Sequence, residues 1–292
     1  MWLGRHGFYK NVPDEKYLKR CYKSVFGKEL NLQDPQTFSE KIQWLKLHDR
    51  NPEYTTMVDK YEVKKYVSER IGSEYIIPSY GVWDHFDDID FESLPESFVL
   101  KCTHDSGGLI ICHDKSKLDR KAAKKKLEKC LKTNYYYSFR EWPYKNVNPR
   151  IIAEKLMVDS ETNELRDYKF FTFSGVAKAL FIASDRQNPN EETKFDFYDM
   201  DFNHLDIRNG HPNATVAIKK PVCFDEMKRL AEVLSKGIPH VRVDFYEVNG
   251  RAYFGELTFA HWSGLVPFEP EEWDKKFGDW LQIPQELKEN IH

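Results

Sequence analysis

The sequence predicts an α+β protein, on three observations. Residues 14 to 71 carry helical apolar spacing with no strand signal. From Tyr75 onward, short apolar runs alternate with Gly- and Asn-containing turn pairs, which is the pattern of antiparallel hairpins. Nowhere does the front of the chain alternate strand and helix as a dinucleotide-binding βαβ domain would.

In chain order, Asp14 is placed to cap a helix through about Phe26, with Tyr17, Leu18, Cys21, Tyr22 and Val25 on one face. Asp34-Pro35 opens a second helix carrying Phe38, Ile42 and Leu45 beside Trp44. A third starts near Pro52, carries Met57, Tyr61, Val63 and Val67, and stops at Gly72. Tyr75 to Pro78, Phe98 to Cys102 and Leu109 to Cys112 read as short strands, the last after Gly107-Gly108. Lys115 to Lys132 reads as a lysine-rich helix, with Leu118, Ala123, Leu127 and Leu131 inward. Ile151 to Met157 is an apolar strand, followed by a polar turn from Asp159 to Asn163. Tyr168 to Phe173 and Ala177 to Ala183 form a hairpin about Ser174-Gly175. An amphipathic helix, Phe224 to Lys236, leads to a second hairpin from Ile238, and a Trp-rich helix, Glu271 to Leu281, closes the chain.

Composition excludes several classes. With 292 residues, 40% apolar and 15% aromatic, the chain can bury a sizeable core. Lys plus Arg number 44 against 47 Asp plus Glu, a net charge of −3, so no basic excess points to nucleic acid. The five cysteines lack Cys-x-x-Cys spacing and are odd in number, which fits reduced thiols in the cytoplasm. The first residues form no apolar signal core and no 18 apolar residues run together, so a soluble protein is expected. Peripheral association at the inner face of the membrane stays open. Asn213-Ala214-Thr215 is a chance sequon in that compartment.

The hairpin from Ile238 to Gly264 concentrates the chemistry. Val241, Val243 and Phe245 alternate with Arg242, Asp244 and Tyr246, and Glu256 and Thr258 follow in step beyond Asn249-Gly250. A plain two-residue turn pairs Asp244 with Gly255 and sends Asp244 and Glu256 to opposite faces. A three-residue turn with Gly250 left-handed pairs Arg242 with Glu256 and puts Arg242, Asp244, Glu256 and Thr258 on one face. We favour the second register. Two carboxylates side by side suit a hard cation, and an arginine beside them suits a phosphoryl group; an ordinary surface Arg-Glu pair is the alternative.

Other constellations are individually weak. Lys101 ends a strand that runs into a small loop, Thr103 to Gly108, whose backbone could approach phosphate oxygens. The strand Ile151 to Met157 turns polar at Glu154-Lys155. Asp167 and Lys169 stand at the head of a strand, and Asp59-Lys60 lies on the third helix.

Taken in order, Asp59-Lys60, Lys101 with its glycine loop, Glu154-Lys155-Leu156, Asp167, Arg242-Val-Asp244-Phe and Glu256-Leu-Thr258 resemble the ATP-grasp superfamily. The segments FSEKIQWLK, KCTHDSGG, EWPYKN, IIAEK, VRVDFY and FGELTF are similar to its branch associated with teichuronopeptide and capsular polysaccharide biosynthesis. The resemblance implies two α+β lobes clamping a nucleotide. It places a helical region at 1–74, a small lobe with a glycine-bearing flap at 75–150, and a C-terminal lobe with a metal-binding hairpin and closing helix at 151–292. It implies ATP contacts from Lys60, Lys101, Ser106, Gly107 and Gly108, adenine recognition by Glu154, Lys155 and Leu156, and ribose contact by Asp167 with Lys169 near it. Arg242 and Lys101 would act in catalysis, and Asp244, Glu256 and Thr258 would hold Mg²⁺, two ions in all. Thr258 stands where the family usually has Asn, and the loop has only two glycines. Lys178, Arg186 and Lys194 are candidates for a further γ-phosphate contact.

The implied reaction joins a carboxylate to an amine through an acyl phosphate, in cell-surface polymer synthesis. A glycosyltransferase using Asp199-Met-Asp201 as a metal motif, a kinase on the same fold, and a polyanion-binding module using Lys121, Lys124, Lys125, Lys126 and Lys129 are the rivals.

Overall fold

The computed structural model describes residues 4, 7–160, 165–186 and 191–289. The tail of the predicted polar turn, 161–163, lies outside them. The class is α+β, with two antiparallel sheets. In chain order the elements are α1 (Asp14–Phe26), α2 (Phe38–His48), α3 (Glu53–Val58), α4 (Val63–Ile71), β1 (Ser79–Trp83), β2 (Phe98–Cys102), β3 (Leu109–Cys112), α5 (Arg120–Leu131), β4 (Ile151–Lys155), β5 (Asp167–Phe173), β6 (Val176–Ser184), β7 (Lys194–Tyr198), β8 (His204–Leu205), α6 (Phe224–Leu234), β9 (His240–Val248), β10 (Arg251–Thr258) and α7 (Glu272–Trp280). A last short helix spans Gln285–Glu289. No helix among the described residues is long and apolar enough to cross a membrane.

The chain forms two compact units, one of Met1–Asn11 with Asn51–Met157, the other of Val12–Arg50 with Val158–His292. The N-terminal helices therefore do not make a unit of their own: α1 and α2 belong with the C-terminal half, α3 and α4 with the middle of the chain.

In the first unit the strand order is β1-β4-β2-β3. One face of the sheet carries Phe98, Leu100, Cys102, Ile151 and Ala153, covered by Ala123 and Leu127 of α5. On the other face, Val99 lies opposite Glu154 and Lys101 opposite Ile152. Side chains alternate faces along a strand, so Lys101 and Glu154 become diagonal neighbours. Three sequence boundaries need correction here. The predicted third helix breaks at Asp59-Lys60 because the Asp59 carboxylate accepts the backbone N–H groups of Tyr61 and Glu62, at 2.8 and 3.2 Å, and starts a new helix. The strand foreseen at Tyr75 to Pro78 begins only at Ser79, after a 3₁₀ turn at Ser73–Tyr75. The lysine-rich helix starts at Arg120, where Asp119 accepts the N–H of Ala122, and not at Lys115.

In the second unit the order is β10-β9-β5-β6-β7-β8; β7 and β8 were not foreseen. One face packs on α6, where Phe170 meets Phe224 and Phe245. The other face holds Phe171, Phe173, Phe181, Phe195 and Phe197, covered by Phe38, Ile42, Trp44 and Leu45 of α2 and Phe277 of α7. Buried His240 lies among these rings and donates Nδ1–H to Thr172 O at 2.8 Å; burial pushes its pKa down to about 3. Asp14 is the first residue of α1, behind Pro13, and is not its cap. Nor is α2 opened by Asp34-Pro35. Its cap is Thr37, in a reciprocal box with Glu40, and the sequence Thr37-Phe-Ser-Glu40 carries that signature. Gly278 of α7 lies against this cap: a Cβ there would sit 2.2 Å from Gln36 O and 2.8 Å from Phe38 N.

Gly278→Ala is therefore expected to destabilise the protein by about 2 kcal/mol through backbone overlap. Thr37→Ala is expected to cost about 1 kcal/mol through the lost cap. Urea denaturation of both variants checks the order.

Candidate functional site

The hairpin of β9 and β10 turns at Asn249-Gly250, both left-handed, with φ of 52° and 72°. The polar turn before β5 holds it: Asn249 N donates to Asp159 Oδ2 at 2.8 Å, and Ser160 N donates to Asn249 Oδ1 at 3.0 Å. The loop is the two-residue form, with Arg251 opposite Val248, which corrects the three-residue loop expected from sequence. The face-sharing survives for a different reason. Between Phe254 and Glu256 the register shifts, leaving Gly255 unpaired, so Glu256 lies opposite Asp244 and Thr258 opposite Arg242. A Cβ on Gly255 would lie 3.1 Å from Asp244 O, so the bulge is tightest at glycine.

The four side chains then converge. Arg242 donates Nε–H to Asp244 Oδ1 at 2.7 Å and Nη2–H to Asp244 Oδ2 at 2.7 Å. The same Nη2 faces Thr258 Oγ1 at 3.0 Å and Glu256 Oε1 at 3.1 Å. Three oxygens share a nitrogen that carries two hydrogens, so this is an oxygen-rich point held by a cationic group. Asp244 also accepts from Lys169, and Lys169 donates to Asp167 Oδ1 at 3.0 Å. Arg186 donates to the other oxygen of Asp167. Arg242, Lys169 and Arg186 thus face Asp244, Asp167 and Glu256, a balanced set of charges. Burial pushes Asp244 up from the ordinary carboxylate range, against the pull of Arg242 and Lys169. Burial pushes Asp167 up too, but Lys169 and Arg186 outweigh it and hold its carboxyl low. Asp167 in turn raises the Tyr246 hydroxyl well above its usual value, with burial adding to the effect. Of the three candidates for an extra basic contact, Arg186 joins this cluster. Lys178 is exposed on β6, Lys194 opens β7, and neither pairs with the cluster among the described residues.

The sequence carries no local signal that singles out His261, which the structure ties to Arg242. Arg242 Nη1 donates to His261 Nδ1 at 2.7 Å, so that nitrogen is the acceptor. His261 Nε2–H donates to Asn209 Oδ1 at 2.8 Å, and Asn209 Nδ2 donates to the carbonyls of Val266 and Pro267 at 3.0 Å each. The ring is packed between Phe171 and Phe181. Burial, aided by Arg242, keeps it neutral, well below the ordinary histidine value. Beyond it, Trp262, Ser263 and Gly264 are all left-handed, with φ of 48°, 57° and 63°. The α2 residues Gln43 and Lys46 hold the carbonyl of Ser263, each at 2.9 Å.

The first unit holds a second group. Glu154 is buried, with Oε2 2.7 Å from Lys101 Nζ and Oε1 2.6 Å from Lys64 Nζ. Burial raises Glu154, yet Lys101 and Lys64 outweigh it and hold the carboxyl below its ordinary range. Lys64, on a helix with an unremarkable sequence, was not foreseen. Lys155 N is taken by Pro78 O at 2.9 Å; Leu156 follows the strand, half-buried. Lys60 donates its ammonium to Asp105 O and its backbone N–H to Thr103 O, so it touches the glycine loop directly. Ser106 and Gly107 form the exposed tip, while Gly108 is buried and donates to Asp105 Oδ1 at 3.0 Å.

Two other motifs have local roles. Asp199 spends its carboxylate on Asp201 N, Asn203 N and Asn203 Nδ2, which makes Asp199-Met-Asp201 a self-capped turn. On α5, Lys124 pairs with Asp87 and Lys126 donates to Leu109 O at 2.8 Å.

The family model described as TupA-like ATPgrasp matches residues 40–282. No curated protein matches. Among solved structures, the ATP-grasp ligase PsnB complexed with minimal precursor, Mg and ADP is similar at a TM-score of 0.40 and 11% identity, over 76% of this chain and 57% of that one. The D-alanine–D-alanine ligase of Bacillus anthracis complexed with ATP is similar at 0.39 and 15%, over 70% and 55%. That of Helicobacter pylori is similar at 0.42 and 11%, over 85% and 70%. The chain spans little more than half the length of the first two. Likeness at this level identifies neither substrate nor reaction.

The Glu154 bridge makes a pH prediction. Its folded-state pKa lies below the ordinary 4.5, so the stability it contributes is complete above that value and is lost as pH falls through the folded value. Glu154→Gln is expected to cost about 2 kcal/mol at neutral pH. The gap between variant and wild type should narrow in acid, as read by urea denaturation from neutral pH downward.

Proposed function

Because the chain belongs to the TupA-like ATP-grasp family, we propose that it is an ATP-dependent ligase that joins a carboxylate to an amine in cell-surface polysaccharide synthesis. The observation that carries this reading is the convergence of Arg242, Asp244, Glu256 and Thr258 on one face of the β9–β10 hairpin, with Lys169, Asp167 and Arg186 behind them. The three oxygens that meet at Arg242 Nη2 are hard donors of the kind Mg²⁺ takes, so the residues present fit that ion. Asp244, Glu256 and Thr258 would hold it, and when bound it would supply charge neutralisation to the phosphates.

On this reading a substrate carboxylate attacks the γ-phosphorus of ATP, the bond to the bridging oxygen breaks, and ADP leaves. An amine then attacks the acyl phosphate, loses a proton and expels phosphate. No side-chain nucleophile is needed; the protein positions groups and stabilises charge. Arg242 exchanges its carboxylate partners for oxygens of the transferring phosphoryl group. Lys101 and Lys60, with the loop Ser106, Gly107 and Gly108, bind the ATP phosphates. Glu154, Lys155 and Leu156 read adenine, and Asp167 with Lys169 takes the ribose. For Glu154 this requires the carboxylate to remain anchored by Lys64 when Lys101 turns to a phosphate. The self-capped turn at Asp199 offers nothing to the glycosyltransferase reading.

Calorimetry with ATP and Mg²⁺ tests the assignment. Wild type should bind, and Lys101→Ala combined with Asp244→Asn should bind at least about tenfold more weakly. A folded wild type that ignores ATP would sink the proposal. Glu256→Gln should keep its thermal midpoint and lose turnover, measured as ADP formed in the presence of both a carboxylate and an amine.

His261 gives a sharper prediction. His261→Leu removes the acceptor for Arg242 Nη1 and should weaken binding of MgATP more than MgADP, by roughly tenfold. His261→Asn, which keeps an acceptor at that distance along the side chain, should recover most of the difference.

A further inference from the structure

Away from the β9–β10 cluster, the first unit gathers three metal-ligating side chains under its glycine loop. One ligand atom each from Cys102, Asp105 and Cys130 lies within 4.8 Å of the other two. Their convergence follows from the chain path. Cys102 ends β2 on the face covered by α5, and its thiol donates to Leu127 O at 3.7 Å. Three residues on, the loop curls so that Gly108 N donates to Asp105 Oδ1 at 3.0 Å. Cys130 sits in the last turn of α5. His104 fastens loop to helix, its Nε2–H shared between the carbonyls of Cys130 and Thr133 at 3.1 Å each. There is no slack: a Cβ on Gly108 would lie 2.5 Å from Cys102 Sγ.

Packing alone would explain two reduced thiols in a core, since cysteine buries as a small hydrophobe. It does not explain the carboxylate. Asp105 is buried beside them with no ion-pair partner among the described residues, and Lys60 donates to its backbone carbonyl rather than to its side chain. A buried carboxylate is costly without a cation, and here two sulfurs stand next to the vacant charge. Two sulfurs and one oxygen form a donor set that selects zinc-like ions over magnesium. Half-buried Cys130 gives access from solvent.

We propose that Cys102 Sγ, the Asp105 carboxylate and Cys130 Sγ bind one thiophilic divalent cation of the zinc class, which ties the root of the loop Thr103 to Gly108 to α5. Each thiol gives up its proton to solvent as its sulfur bonds the metal. No electron moves, and the fourth position is left to solvent. The site is separate from the β9–β10 carboxylates and does not depend on the ligase reading.

The test is titration of tag-free, chelator-treated full-length protein with Co²⁺, read by absorption. Oxygen ligands on β9 and β10 give no sulfur charge-transfer band, so the band reports thiolate coordination, and the Cys130→Ser variant assigns it to this site rather than to Cys21, Cys112 or Cys223. Wild type should develop the band with tetrahedral visible bands, saturate at one equivalent, and lose both on adding Zn²⁺ but not Mg²⁺. Cys130→Ser, chosen because this residue is only half-buried, should remain folded by circular dichroism and bind Co²⁺ more than about tenfold more weakly. Asp105→Asn should keep a charge-transfer band and lose affinity. A folded wild type with no such band, or a Cys130→Ser protein with wild-type Co²⁺ affinity, would overturn the proposal.

Discussion

One unpaired residue in β10 sets the chemistry of the second unit. A strand places successive side chains on opposite faces, so a hairpin closed by two residues would have put Glu256 away from Asp244. Leaving Gly255 out of the ladder moves every later residue of β10 across by one, and Glu256 and Thr258 arrive over Asp244 and Arg242. The aromatic core then fixes the height of this cluster. Phe181 lies under the Arg242 guanidinium, and Phe171 and Phe181 pack His261, so the polar groups rest on a floor that does not give.

Both units use the same electrostatic device, a carboxylate shared between two basic side chains. Glu154 lies between Lys64 and Lys101, and Asp167 lies between Lys169 and Arg186. Removing one member of such a set leaves buried charge unpaired, which costs more than the pair itself contributes. The arrangement also keeps the cations in place, each aimed by its partner.

Much of the fold was legible because it is written locally. Asn249-Gly250 and Ser174-Gly175 between alternating runs named two hairpins of the second sheet, β9–β10 and β5–β6, and Phe98 to Cys102 and Leu109 to Cys112 were bounded by their own glycine turn. The shared face of Arg242, Asp244, Glu256 and Thr258 was reached through the wrong bulge, since an extra residue at the turn or at Gly255 gives the same parity at Glu256. Thr37 was overlooked because Asp34-Pro35, three residues earlier, offered a competing start. The break at Asp59-Lys60 was hidden because the apolar spacing runs on through it. Lys64, Asn209 and the tie between His261 and Arg242 join residues far apart in the chain, and no local pattern carries them. Nor did the cysteines announce themselves: Cys102 and Cys130 are separated by a strand, a loop and a helix.

Arg242 has a thermodynamic consequence beyond its contacts. Its guanidinium already occupies the point where the three oxygens meet. On the proposed reading, a metal ion arriving alone must evict a resident counter-ion and leave it with only the neutral His261 as partner, so the site by itself resists loading. A phosphate chain arriving with the metal gives the displaced guanidinium somewhere to go. Metal and nucleotide would then be linked ligands, each strengthening the other by the same factor, and the hairpin would behave as an electrostatic latch that opens to the pair together.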